Sequence, residues 1–287
     1  MTEQNAHQVA DWNGQSGEYW AANQARLDAM FAVFGQAAIE AAAPAMGERV
    51  LDIGCGAGAS SLALASRVGA GGHVLGVDIS EPLIGRARAL APQDTPAQFR
   101  VADASSAELP EGAFDILFSR FGVMFFDDPT GAFVHMRHAL RPGGRVAFVC
   151  WRGVAENDWV RLPMAAIKDI VPLPAPPGPE APGPFSFGDR GRLTRILTRA
   201  GFTDIAIAPF DAAISFGEGG TRDAAIDDAV KMAFEGGPLS LVLADQSDDI
   251  RARAWAAVRA VFAGLPGERS VMMDGAAWIV MARNPAS

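Results

Sequence analysis

Three glycines, Gly54, Gly56 and Gly58, follow the apolar, β-branched run 49–53 and precede SSLALASRV, whose apolar residues fall at helical spacing. A strand that turns through glycines into a helix brings unpaired backbone N–H groups to one spot. No Cβ then stands in the way of a ligand. Gly54-x-Gly56-x-x-Ala59 also satisfies the relaxed dinucleotide fingerprint. Asp78 closes the next strand-like run, HVLGVD, twenty residues beyond Gly58. An acid at that place can accept both hydroxyls of a ribose, which suits NAD and any adenosyl cofactor equally.

The elements that must position these residues alternate regularly. Strands are expected at 49–53, 73–78, 98–103, 114–119 and 145–151. Helices lie between them, one opened by Ser80 with Pro82 in its first turn, another running from about Pro129 to Leu140 and stopped by Arg141-Pro142-Gly143-Gly144. Apolar strands alternating with helices predict a parallel α/β sheet covered on both faces. Residues 1–46 read as a helical cap bearing Trp12, Tyr19, Trp20, Phe31 and Phe34, and 47–151 as the core. Residues 152–188 start with a short helical piece and then carry seven prolines between 172 and 184, which exclude regular structure there. In 189–287 a helix at 190–200 and a strand at about 203–209 resume the alternation. A helical insertion at about 211–270 follows, with helices opened by Thr221 (stopped at Gly236-Gly237-Pro238) and by Ser247. Asp274-Gly275 is expected to turn the chain into a last strand, 276–282.

At this point the sequence resembles the class I S-adenosylmethionine (SAM)-dependent methyltransferases. VLDIGCGAG (50–58) is similar to their first motif, GVDIS (76–80) to their ribose-binding strand end, ADASSAELP (102–110) to their adenine-binding motif, FDILFSR (114–120) to their fourth strand and ALRPGG (139–144) to the turn before their fifth. The core also resembles the ubiquinone/menaquinone C-methyltransferase branch, but there the last two strands are joined by a short connection. The resemblance implies a doubly wound, Rossmann-like seven-stranded α/β sheet with a reversed last strand. It implies SAM as cofactor and S-adenosylhomocysteine as product. Carried over by position, Gly54, Cys55 and Gly56 form the loop under the methionine part, and Asp52 orients that region through the amino group or a water. Asp78 takes the ribose hydroxyls, Ile79 packs on the adenine, Asp103 accepts from the adenine amino group, and Ala104 offers its backbone N–H to the ring. Ser119 lies beneath the methionyl group, through its carbonyl. Tyr19, beside Trp20 in a segment that folds over the cofactor in related enzymes, contacts the methionine part or the substrate.

Methyl transfer from a sulfonium already has a good leaving group, so alignment and exclusion of water are the main requirements, and a base is needed only where the nucleophile must lose a proton. No catalytic base is assigned. His135 and His138 read as a solvated helix face, His73 starts a strand away from the carboxyl edge, and His7 lies in the cap, where it could cover the site. FGVMFF (121–126), with Trp151, is expected to line an apolar pocket. Segments 152–188 and 211–270 are expected to cover the substrate.

The composition agrees. In 287 residues, 24 basic and 33 acidic side chains give a net charge of −9, which argues against nucleic acid or an anionic membrane as partner. No apolar run is long enough for a membrane span, Cys55 and Cys150 make neither a disulfide framework nor a zinc site, and no metal is expected. The N-terminal sequence does not read as a signal peptide, and a reducing cytoplasm is the expected setting; a homodimer is left open. An NAD-dependent short-chain dehydrogenase would need a Tyr and Lys four apart downstream of the glycines, and the only tyrosine, Tyr19, is upstream. A SAM-binding protein that transfers no methyl is the other reading. The sequence thus predicts a SAM-dependent methyltransferase acting by in-line displacement on a small, apolar organic acceptor, at oxygen or carbon.

Overall fold

Strand β1 (Arg49–Ile53) lies between two parallel neighbours, pairing Asp52 with Gly76 of β2 (His73–Asp78) and with Phe118 of β4 (Phe114–Arg120). The computed structural model of the chain describes residues 3–175, 178 and 180–286, with the side chains of Glu3, Gln4, Asn5 and His7 outside that description. Further strands are β3 (Ala97–Val101), β5 (Leu140–Trp151), β6 (Thr203–Glu218) and β7 (Ser270–Arg283). The sheet runs β3-β2-β1-β4-β5-β7-β6, with β7 antiparallel to β5. This is the doubly wound α/β sheet with a reversed last strand that the sequence predicts. The winding reverses between β1 and β4, the place where such sheets hold ligands at the carboxyl ends of their strands.

The chain divides into two compact units, 1–151 with 180–210 and 277–287, and 152–179 with 211–276. In the first unit the cap is three helices, α1 (Glu3–Trp12), α2 (Gln15–Ala22) and α3 (Gln24–Ala42). Between the strands run α4 (Ala59–Val68), α5 (Glu81–Leu90) and α6 (Pro129–Ala139). Ser80 caps α5 by accepting from the Leu83 N–H, and Asp128 caps α6 by accepting from Gly131. Phe114, Phe118, Phe133, Phe148 and Leu51 are fully buried about the sheet. Past the proline-rich stretch, Phe187 joins Phe133 and Phe148 before α8 (Arg190–Arg199) begins.

The second unit packs α7 (Asp158–Ile167), α9 (Arg222–Glu235), α10 (Gly237–Leu243) and α11 (Asp248–Ala263) together, α11 lying on both α7 and α9. Thr221 and Ser247 cap α9 and α11 as expected. Three expectations need correction. Gly236-Gly237-Pro238 stops α9 but also starts α10, because Pro238 sits in the first turn, where its missing N–H costs no hydrogen bond. Asp274-Gly275 makes no turn: neither residue takes a positive φ, and β7 runs through them from Ser270. Strand β6 also continues to Glu218, well past 209. In both strands, tertiary pairing overrides the local signal.

Asn157 is the polar centre of this unit. Its side-chain amide is fully buried, donates to the carbonyls of Gly153 and Ala276, and accepts from the Ala276 N–H and the Trp159 indole. Asn157→Ala removes all four bonds and takes from the Ala276 N–H its partner in the interior, while the Ala276 carbonyl keeps the Arg152 N–H. The loss is expected to be about 2–4 kcal/mol, read as a fall in the urea midpoint. An unchanged midpoint would show that Asn157 does not organise the unit.

Candidate cofactor site

The site begins at the carboxyl end of β1. Asp52 is fully buried, and its Oδ2 accepts from the hydroxyls of Ser60 (2.7 Å) and Ser61 (2.6 Å) in the first turn of α4. Oδ1 is buried too and has no hydrogen-bond partner among the described residues. Burial pushes the Asp52 carboxyl up to about 6; the two serine hydroxyls and the charge of Arg120 pull against that shift, and Asp78 adds to it.

The glycine turn follows at once. Gly54, Gly56 and Gly58 have φ of 63°, 54° and 89°. A Cβ at Gly54 would come within 2.6 Å of the Gly122 Cα, and one at Gly58 within 2.9 Å of the Phe99 ring, so those two glycines serve close packing. A Cβ at Gly56 would meet nothing within 4 Å: this glycine borders open space. Between them, Cys55 turns its thiol inward, where burial pushes its pKa up and keeps it protonated; a Cβ on Gly76 would lie 2.9 Å from its Sγ. Only the backbone of Cys55 is available to a ligand.

Asp78, at the end of β2, is fixed by that same loop. Its Oδ2 accepts from the Gly56 N–H (2.8 Å) and its Oδ1 from the Ser80 N–H (2.9 Å). Burial raises its carboxyl pKa, opposed by these backbone donors. A carboxylate offers about four lone-pair positions. Two backbone bonds therefore orient it and leave capacity for a diol.

The loop after Asp78 is gripped by the cap. Ser80 donates to the Trp12 carbonyl (2.6 Å), Asn13 donates to the Ile79 carbonyl (2.9 Å), and the Glu81 N–H donates back to Asn13 Oδ1 (2.9 Å). Asn13 is a site-shaping residue that the sequence reading did not single out, since the Asn13-Gly14 pair reads locally as any turn; Trp12, expected there only as an aromatic of the cap, acts through its backbone carbonyl. Tyr19 is half-buried on α2, which packs against α5. The side chain of His7 lies outside the described residues.

At the end of β3, Asp103 Oδ1 accepts from the N–H and the hydroxyl of Ser105, and Ala104 is buried. His135 is not a solvated residue: its Nε2 lies 2.8 Å from the Ala107 carbonyl and holds the same loop. At the end of β4 the Ser119 hydroxyl donates to the Ile53 carbonyl (2.8 Å) and accepts from the Gly122 N–H (3.1 Å), stapling β1 to β4. Phe121 follows in the left-handed region (φ 59°) and stacks on Trp151, ring centroids 4.1 Å apart and 14° from parallel. Phe31 and Phe34 of α3 meet both rings edge-on. In the expected pocket segment, Val123 and Met124 are buried in the core, while Phe121, Phe125 and Phe126 are partly exposed. Among the described residues no group of His, Cys, Asp and Glu could hold a metal.

Residues 51–148 match the family model described as a methyltransferase domain. The chain is 37% identical over 120 residues to aklanonic acid methyltransferase DauC of Streptomyces sp. (strain C5), covering 41% of this chain and 54% of that protein. It is 29% identical over 176 residues to nocamycin O-methyltransferase of Saccharothrix syringae, covering 56% and 61%. The chain thus spans little more than half the length of these curated relatives. Among solved structures it resembles phosphoethanolamine N-methyltransferase 2 of Haemonchus contortus in complex with phosphomonomethylethanolamine and S-adenosylhomocysteine. There the TM-score is 0.50 at 20% identity, over 88% of this chain and 52% of that one. Motifs, sheet order and domain match agree: residues 51–148 are similar to a methyltransferase domain, set in the seven-stranded sheet with a reversed last strand that the class I resemblance implies.

Proposed function

We propose that the protein transfers a methyl group from SAM to an oxygen or carbon atom of a small, largely apolar organic molecule. The observation that carries this reading is the carboxyl end of β1. There a buried carboxylate oxygen lacks a donor, and beside it a left-handed glycine borders open space. Both features suit a cofactor with a cationic head and a nucleoside. Two of the curated relatives are by name methyltransferases of aklanonic acid and of nocamycin, the latter at oxygen, which supports an organic acceptor.

Bound there, SAM supplies an electrophilic methyl group on a good leaving group. The residues around it bind and orient. Gly54 and Gly56 let the backbone come close, Asp52 offers its buried oxygen, Asp78 the ribose contact, Ile79 a flank for the adenine. Asp103 and Ala104 offer polar contacts to the ring edge, and Tyr19 closes the methionine end from the cap. Ser119 contributes its carbonyl, its hydroxyl being occupied in joining β1 to β4. The rings of Phe121 and Trp151 make an apolar wall that excludes water and favours a positive charge near their faces. We place the protein in a reducing cytoplasm, where the free, buried Cys55 and Cys150 are at home.

Thermal unfolding tests the reading. S-adenosylhomocysteine at about 1 mM with a micromolar constant adds roughly 4 kcal/mol, a rise of several degrees. Asp78→Ala is expected to lose that rise. A rise with NADH alone would overturn the assignment.

Asp52 supplies a second test. Its carboxyl stands at about 6 in the folded chain against 3.8 unperturbed. Its contribution to stability is therefore fully present below pH 3.8 and lost as the pH climbs through 6. At pH 7.5 the ionised, buried group costs about 3 kcal/mol. Asp52→Asn is expected to raise the urea midpoint at pH 7.5, to leave it nearly unchanged at pH 4, and to weaken S-adenosylhomocysteine binding. A variant less stable than wild type at pH 7.5 would contradict this account of Asp52.

A further inference from the structure

Two groups beside the glycine turn have bonding capacity that the protein does not use, and they carry opposite charge. One is Asp52 Oδ1, buried and without a donor. The other is Arg120. Phe118 stands level with Asp52 in the β1–β4 register, and Arg120, two residues further along β4, projects from the same face of the sheet. Its side chain is 14% exposed and passes beneath α3, where a Cβ on Gly35 would come within 2.9 Å of the Arg120 Cδ. Its one ion pair among the described residues joins Nη2 to Asp28 Oδ1 of α3 at 2.6 Å. Gln24 donates to the other oxygen of Asp28 and so sets that carboxylate in place. A guanidinium has five N–H donors, and this bond engages one of them.

An oxygen short of a donor, on the same sheet face as a guanidinium with donors to spare, is the complement of an amino-acid zwitterion. The ammonium group needs the acceptor and the carboxylate needs the planar donor fork. We propose that Arg120, positioned by Asp28, binds the α-carboxylate of the methionyl head of SAM, while Asp52 Oδ1 receives its α-ammonium. The proposal rests on the cofactor reading above and adds to it the residue that recognises the acid end of the cofactor. It also gives the cap a second role: through Asp28, α3 sets the position of a group that meets the ligand.

The test compares two ligands that share adenosine and the thioether sulfur. S-adenosylhomocysteine carries the amino-acid head; 5′-methylthioadenosine does not. Dissociation constants are measured by titration calorimetry on the full chain, wild type and Arg120→Gln. The variant is expected to weaken S-adenosylhomocysteine by about tenfold to a hundredfold and to leave 5′-methylthioadenosine unchanged. That selective loss also shows that the nucleoside pocket is intact. Should Arg120→Gln fail to fold, Arg120→Lys keeps the stem and the charge but not the fork, and is expected to show the same selectivity at several-fold. An unchanged ratio of the two constants, or an equal loss for both ligands, would overturn the proposal while leaving SAM binding standing. Wild-type protein that binds neither ligand would overturn the cofactor reading, and this proposal with it.

Discussion

At the carboxyl end of β1 the backbone of Gly54 passes so close to Gly122 that a single added Cβ would bring carbon to within 2.6 Å of carbon. The Ser119 hydroxyl holds this crossing by bonding the last carbonyl of β1 and the N–H of Gly122. Much of the site follows from that contact. It forces the β4 chain to turn away at once, which it does through Phe121 in the left-handed region, a conformation costing on the order of 1–3 kcal/mol in a non-glycine residue. The turn lays the Phe121 ring flat on Trp151, at the end of β5, and so brings an aromatic wall to the edge where the winding reverses. A larger residue at Gly54 or Gly122 would move the glycine loop and the wall together.

The same corner concentrates charge. Asp52 is held in the interior by two serine hydroxyls, a weaker compensation than a full ion pair, and its second oxygen has none. Folding tolerates this because the sheet and its helices bury ample apolar surface elsewhere. Stability given up at a strand end in exchange for an unsatisfied charge is what a ligand site requires, since a bound cation then restores what burial removed. Asp78 follows the opposite plan. Backbone donors from Gly56 and Ser80 hold its carboxylate in one orientation.

The parts of this arrangement that were legible in the sequence are those whose physics is local. A left-handed turn demands glycines, a strand end shows as a change of periodicity, and an acid at that end can be read at its own position. The alternation of strands and helices carried the parallel part of the sheet for the same reason, while its reversed last strand was implied by the resemblance that the order of the motifs carries. What escaped the sequence depends on residues far apart in the chain. Asn13 acts on Ile79 and Glu81, Ser119 acts on Ile53, and Arg120 meets Asp28. None of these carries a local signature, and each requires the register of two elements to be known first. The missed α10 and the early start of β7 have a related cause, because Gly-Pro and Asp-Gly mark either a stop or a continuation according to what packs beside them.

The central claim is that the carboxyl ends of β1, β2 and β4 form one adenosyl-binding surface. A crystal structure of the chain with S-adenosylhomocysteine tests it most directly. The account predicts the ribose hydroxyls on Asp78, the adenine between Ile79 and the Asp103–Ala104 turn, and the amino-acid head against Asp52 over Gly54 and Gly56. A ligand bound elsewhere, or an adenosyl group that leaves Asp52 and Asp78 untouched, would contradict it.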